Sequence, residues 1–205
     1  MLQLITHRNE RCSDIELAES ALNGGCRWVQ LRMKEATDGE IRTTAITIKK
    51  LCHSFGATLI IDDRLDLALE IGADGVHLGK HDLPVAEARK LAGRDFIIGG
   101  TANSYEEMAA IARNGADYIG LGPFRFTTTK KNLSPVLGLD GYRDLVNRFR
   151  QEGFTLPVVA IGGIKEENIR DLLETGVSGI ALSSEILNAC NPIEKTKRIV
   201  KLINY

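Results

Sequence analysis

The stretch from Leu59 to Asp82, LIIDDRLDLALEIGADGVHLGKHD, decides the fold. It holds two short apolar runs, Leu59-Ile60-Ile61 and Val76-His77-Leu78, each closely followed by charged residues: Asp62-Asp63-Arg64 after the first, Lys80-His81-Asp82 after the second. Runs this short and apolar read as strands covered on both faces, the habit of parallel sheets whose connections are helical. Between them Leu65 to Ile71 supplies two turns of helix before Gly72. If the runs are neighbours in one parallel sheet, their charges collect at the carboxyl ends, where α/β folds bind ligands. Asp63 and Asp82 then have two readings. Either alone suits a strand-ending turn. The pair in equivalent positions suits a shared ligand, because two carboxylates facing one pocket repel unless a cation or a basic partner lies between them.

Outward from that stretch the same beat repeats. Leu2 to Thr6 reads as a first strand, and Leu17, Ala18, Ala21 and Leu22 share one face of a helix that Gly24-Gly25 ends. Trp28 to Arg32 is the second strand, followed by an amphipathic helix carrying Ile41, Ala45, Ile48, Cys52 and Phe55. Strands at Thr58 to Ile61, Gly75 to Leu78, Phe96 to Gly99 and Tyr118 to Leu121 come next, with helices between them, among them Tyr105 to Arg113. The beat stalls at Gly122 to Gly138, a run of the length at which irregular loops are usually functional. It resumes with strands at Pro157 to Ile161 and Gly179 to Leu182 and a closing helix lined by Ile199, Val200 and Ile203. Eight strand-helix units predict an α/β fold, a single closed (β/α)8 TIM barrel spanning residues 1–205. The rival is an open doubly wound sheet.

Composition narrows the function. The 205 residues suit one compact domain, and a formal net charge of -1 argues against a nucleic-acid or membrane surface built from bulk charge, so any anion site must be local. Cys12, Cys26, Cys52 and Cys190 show no CxxC spacing, which leaves neutral thiols of a reducing compartment. The first residues, MLQLITHRNERC, lack the pattern of a secretion signal, and no apolar run approaches the roughly 20 residues of a membrane span. The cytoplasm is the expected location. The oligomeric state is left open, a homo-oligomer included.

In a barrel the chemistry sits at the carboxyl ends of the strands. After the second strand Gln30, Arg32 and Lys34 fall on alternate residues and so on one side of an extended chain. Two cations aimed one way suit an anion, although a solvated face beside Glu35 would look the same. After the sixth strand GPFRFTTTKK combines hydroxyls, lysines and an arginine, the parts of a phosphate cradle. An exposed polar loop is the plainer alternative. After the seventh, Gly162-Gly163 permits close approach of backbone to a ligand, and after the eighth Ser183-Ser184 opens a short helical turn. Barrel phosphate sites are commonly built from these last two loops.

These segments together resemble the thiamine phosphate synthase family and its thiazole tautomerase branch over nearly the whole chain. The carrying motifs are QLRMK at Gln30 to Lys34, IIDDRLDLALEIGADGVHLGKHD, GADYIGLGPFRFTTTKKN at Gly115 to Asn132, PVVAIGGI and GIALSSEI. The resemblance implies coupling of a hydroxymethylpyrimidine diphosphate to a thiazole phosphate, with release of diphosphate. It implies Mg²⁺ on Asp63 and Asp82, and Arg32, Lys34 and Lys130 gripping the diphosphate, with Gln30, Asp62 and Thr101 beside them. Thr127, Thr129, Gly163, Ser183 and Ser184 would bind the thiazole phosphate.

Several positions depart from the family pattern. Asp62 stands in place of Asn, Lys80 of Gln, Met33 of Glu, Phe126 of Pro and Thr101 of Ser. The opposite charges of Asp62 and Lys80 on adjacent strand ends predict that the two pair. The tautomerase branch lacks the metal-binding Asp of the DR motif and has a catalytic His after the fifth strand; here Asp63 is present and Asn103 occupies the His position. A tautomerase-like paralogue and a non-catalytic phosphate binder are the rival functions.

Overall fold

The computed structural model describes residues 1–127 and 134–204. Its eight strands are β1 (Leu2–Ile5), β2 (Trp28–Leu31), β3 (Thr58–Asp62), β4 (Gly75–Leu78), β5 (Ile97–Ala102), β6 (Tyr118–Leu121), β7 (Val158–Ala160) and β8 (Gly179–Leu182). They follow chain order round a closed barrel, and the recorded strand pairs are parallel. The intervening helices are α1 (Asp14–Asn23), α2 (Asp38–Ser54), α3 (Leu65–Ile71), α4 (Val85–Ala92), α5 (Tyr105–Arg113), α6 (Gly138–Gln151) and α7 (Ile169–Glu174), then the short α8 (Ser184–Leu187) and the closing α9 (Pro192–Ile203). The expected barrel is therefore formed, and the open-sheet rival is excluded. Contacts gather in two compact units: a flanking unit, Leu2–His77 with Leu182–Tyr205, and a central unit, Met1 with Leu78–Ala181.

One local device recurs and explains how alternate strands start in register. Helices α3, α5 and α7 end in Gly72, Gly115 and Gly176, all with positive φ (64°, 87° and 89°), and two residues later comes a polar side chain that reaches back to the preceding strand. Asp74 Oδ2 accepts the Leu59 N–H at 2.7 Å, Asp117 Oδ2 accepts that of Ile98 at 2.7 Å, and Ser178 Oγ that of Val158 at 3.3 Å. These N–H groups, in the first or second residue of their strands, would otherwise lack this partner. The sequence carries this as GADG, GADY and GVSG ahead of β4, β6 and β8.

Each unit has its own apolar packing. In the flanking unit Leu4, Leu17, Leu22, Val29, Leu31, Ile48, Leu59 and Ile60 are buried, and Gly24 at the end of α1 lets Thr196 of α9 approach its backbone. In the central unit Ile98, Met108, Ile119, Tyr142, Phe149 and Val158 do the same, with Phe149 stacked on Phe154 at 4.7 Å between ring centroids. β5 runs three residues beyond its expected end at Gly99, because its two glycines are packing positions and not a turn: Tyr118 lies against Gly99, and a Cβ on Gly100 would meet Ile111 at 2.9 Å. The extension places Thr101 inside the strand.

Tyr142 joins the upper ends of two strands. Its ring is fully buried, its hydroxyl donates to the Leu121 carbonyl, and it accepts the Ile161 N–H at 3.2 Å. Burial pushes its phenol well above the ordinary range, so it stays a donor at every pH the protein meets. Tyr142→Phe leaves these groups without that partner and should cost about 1–2 kcal/mol, read as a lower urea midpoint with an unchanged m value. The cysteines give a second check. Cys26 and Cys52 are buried, and burial followed by the charge of Asp74 pushes the Cys52 thiol up to about 12. A thiol reagent at neutral pH should therefore modify exposed Cys190 first and reach Cys26 and Cys52 only on unfolding.

Candidate active site

At the carboxyl end of the flanking unit the pairing of Leu31 with Ile61 sets Arg32 and Asp62 next to one another as the strands end. Thr6, just past β1, accepts the Arg32 N–H at 3.1 Å and donates its own N–H to the Gln30 carbonyl at 2.9 Å, so the exit of β2 is fixed from both sides. Asp62 Oδ2 lies 3.2 Å from Lys34 Nζ and 3.5 Å from Arg32 Nε, ion-pair distances without hydrogen-bond alignment. Lys34 also pairs with Asp63. Burial, then the neighbouring charge of Asp63, raises the Asp62 carboxyl above its usual range against the pull of Lys34, His77 and Arg32. Burial of Lys34 opposes its charge, but Asp62 and Asp63 outweigh that and raise its pKa. Both lysine and arginine are held by acids at the mouth of β2 and β3.

Asp63 is the one described non-glycine residue with positive φ (63°). Its N–H donates to the His77 carbonyl at 2.8 Å, which continues the β3–β4 ladder by one bond while the chain turns away. Aspartate tolerates this region better than most residues, so the conformation suits a turn and equally a side chain held in place for function. On β2, Gln30 is 2% exposed and its Nε2 has no hydrogen-bond partner among the described residues; the same holds for the buried Ser183 Oγ at the start of α8. Buried polar groups without a protein partner cost stability and call for a water, an ion or a ligand. Ser184 beside it is exposed.

In the central unit Asp82 Oδ2 accepts the Gly79 N–H at 2.6 Å, which fixes the turn after β4. Lys80 does not reach Asp62. Its ammonium lies 2.7 Å from Glu107 Oε1, while Asp62 is balanced by Arg32 and Lys34. The expected Asp62–Lys80 pair is thus not formed among the described residues, and each partner is engaged within its own unit. Gly163 has φ 67°, and a Cβ there would meet the Arg125 carbonyl oxygen at 2.8 Å and that of Phe126 at 2.9 Å. Its bareness serves the packing of the loop that follows β6. Thr127 lies in that loop, where Phe126 is 73% exposed, and Thr101 lies near the end of β5. Thr129 and Lys130 fall outside the described residues.

Sequence reasoning missed Thr6 and Glu107. Thr6 gave no signal beyond closing a strand. Glu107 did: it follows the helix-capping Ser104 by three residues, the spacing of a capping box, yet its carboxylate is used on Asn103 and Lys80.

The arrangement defines a class first. A parallel (β/α)8 barrel with cations and carboxylates gathered at its strand ends has the framework of a barrel enzyme, whose chemistry sits at that face. Comparison with known proteins narrows it. A family model described as thiamine monophosphate synthase matches residues 2–186, and the chain belongs to that family. It is 55% identical to a thiamine-phosphate synthase of Bacteroides fragilis over 98% of each chain, and 54% identical to one from Phocaeicola vulgatus over 98% of this chain and 97% of that one. The solved thiamine phosphate pyrophosphorylase of Pyrococcus furiosus superposes with a TM-score of 0.88 at 36% identity, covering 99% of this chain and 95% of the other. These relatives are transferases. No described helix is long and apolar enough to cross a membrane.

The charge balance around Asp62 is testable without turnover. Asp62 competes with any anion for Arg32 and Lys34, so Asp62→Asn, which restores the family residue, should tighten binding of inorganic diphosphate about tenfold at low salt. Isothermal titration without added metal measures it; weaker binding would show that Asp62 organises the cations more than it competes with their ligand.

Proposed function

We propose that this protein joins hydroxymethylpyrimidine diphosphate to thiazole phosphate, forming thiamine phosphate and diphosphate in a Mg²⁺-dependent reaction. The observation that carries it is the cluster of Arg32, Lys34, Asp62 and Asp63, in which cations are set beside carboxylates on adjacent strand ends. Family membership supplies the reaction; the cluster supplies its means.

The chemistry asks little of the protein beyond charge. The bond between the pyrimidine methylene and the diphosphate oxygen breaks, the electron pair leaves with diphosphate, and the thiazole nitrogen closes on the methylene with its own lone pair. No proton has to be removed. The barrier lies in the negative charge that grows on the leaving oxygens, and preorganised cations lower such barriers most. Arg32 and Lys34 are preorganised in this sense, since their counter-ions hold them at the strand ends before substrate arrives. Lys130 adds a third cation by the family pattern. Gln30, with an unsatisfied buried amide, Asp62 and Thr101 suit the polar edge of the pyrimidine and its diphosphate. Thr127, Thr129, Gly163, Ser183 and Ser184 suit the thiazole phosphate.

Asp63 and Asp82 are the residues that would hold Mg²⁺, which when bound neutralises diphosphate oxygens. The donor chemistry fits. Asp63 already gathers the Lys34 ammonium, so its carboxylate is oriented for a cation. Among the described residues no three of Asp, Glu, His or Cys assemble into a cage. Mg²⁺ is commonly held by one or two carboxylates plus the substrate's own phosphates, and such a site needs no cage. The tautomerase alternative is disfavoured by Asn103, whose amide is engaged by two backbone carbonyls and, unlike an imidazole, cannot act as a general acid or base near neutral pH.

Supplying both substrates with and without Mg²⁺ and following thiamine phosphate tests the proposal: product should form only with the metal. Asp63→Ala should lower turnover on the order of 100-fold or more while thiazole phosphate still binds. Loss of both together would contradict the assignment of Asp63 to the diphosphate end.

A further inference from the structure

Asn103 enters the proposed reaction only as a residue that is not histidine, yet its side chain bonds both stems of the loop between β6 and α6. We propose that Asn103 is a positioning residue for thiazole phosphate: its single carboxamide ties together the outgoing and returning stems of the loop between β6 and α6, and Glu107 with Lys80 holds it there. The inference rests on the proposed coupling reaction and adds the residue that shapes one of its subsites.

The geometry is specific. Asn103 Nδ2 donates to the Gly122 carbonyl at 2.9 Å and to the Pro135 carbonyl at 2.8 Å, one on each stem. A primary amide has two N–H donors, and both are used here. The outgoing stem is independently held by the exit of β7, through Phe124 N–H to the Ile161 carbonyl at 2.9 Å and Arg125 N–H to that of Gly162 at 3.0 Å. Among the described residues the returning stem has no such anchor at the exit of β7. Leu137 and Gly138 donate to Pro123 and Phe124 at 3.0 and 3.1 Å, so it leans on the outgoing stem, and Asn103 sets where Pro135 lies against it. Thr127 continues directly from the outgoing stem.

Asn103 is itself fixed from below. Its N–H donates to Glu107 Oε2 at 2.6 Å, and Glu107 Oε1 takes Lys80 at 2.7 Å. Burial opposes the charge on Glu107, but Lys80 and the Asn103 N–H outweigh it and keep the carboxyl below its ordinary range. Lys80 is one of the positions where this chain departs from the family pattern, and as lysine it supplies a full charge to Glu107.

Steady-state kinetics with each substrate varied in turn tests this. Asn103→Asp is nearly isosteric but turns acceptors toward two carbonyls, so it should raise KM for thiazole phosphate about tenfold or more, as should Asn103→Ala, with KM for the pyrimidine diphosphate changed less than twofold. Glu107→Ala should give the same split more weakly, and Glu107→Gln, which keeps an acceptor for the Asn103 N–H, should recover most of the wild-type value. Equal effects on both substrates, or Asn103→Asp behaving as wild type, would overturn the inference. Should the Asn103 variants not fold, the Glu107 pair decides it alone, and a Glu107→Ala enzyme with wild-type KM values would overturn it. Should the wild-type protein form no thiamine phosphate, the coupling reading fails separately; equilibrium binding of thiazole phosphate to wild type and Asn103→Asp then reads the inference, with equal affinities counting against it.

Discussion

The register of β2 against β3 is the constraint from which the rest of the flanking unit's chemistry follows. Leu31 pairs with Ile61, so the residues immediately beyond, Arg32 and Asp62, leave the sheet side by side with opposite charges. A one-residue slip would send every side chain of the strand to the other face and set charge against core. Buried charges tolerate one another only in company: Asp62, with a side chain 9% exposed, would be costly to ionise without Lys34 and Arg32, and these two lean on it in turn. Asp63 can then turn into the left-handed region without losing the ladder, because its N–H still reaches the His77 carbonyl. Packing and charge thus fix one another at this rim.

The central unit solves a different problem. It carries a long excursion between β6 and α6, and loops of that length lose order unless their stems are tied. Besides the backbone bonds of Phe124, Arg125, Leu137 and Gly138, the ties include glycines at Gly162 and Gly163 that let the chain lie against the outgoing stem, the Tyr142 hydroxyl joining Leu121 and Ile161, and the Asn103 amide between the stems. Each is a hydrogen bond or a close approach that a larger or less polar residue would abolish. Stems tied in this way are placed by the scaffold before any ligand arrives, which reduces the ordering cost of binding.

Much of this was legible in the sequence, for identifiable reasons. Short apolar runs, glycine stops and the three- and four-residue spacing of Ile41, Ala45, Ile48 and Cys52 are local signals, and β4, β6, β8 and α5 begin and end where those signals place them. Gly99-Gly100 misled because glycine marks both turns and close packing, and only the ring of Tyr118 reveals which. Charge pairing was less legible still. Asp62 and Lys80 have the right signs and stand at adjacent strand ends, yet partner choice depends on side-chain reach. Lys34, two residues past the end of β2, can fold back over Asp62, whereas Lys80 finds Glu107 at the start of α5. Glu107 itself was hidden by its resemblance to an ordinary capping residue.

The substitution of Asp for Asn at position 62 fits this electrostatic scheme and is not a defect in it. With asparagine there, Arg32 and Lys34 would share the single carboxylate of Asp63, and a long lysine with a weak partner has many rotamers to lose on meeting diphosphate. Asp62 supplies a second acid, so the cluster of two cations and two carboxylates is formally neutral and the cations are ordered before ligand binds. The cost is competition: an anion must displace contacts that already exist. The additional acid at position 62 keeps the Lys34 ammonium at the strand ends, 3.2 Å away, whichever partner Asp63 takes.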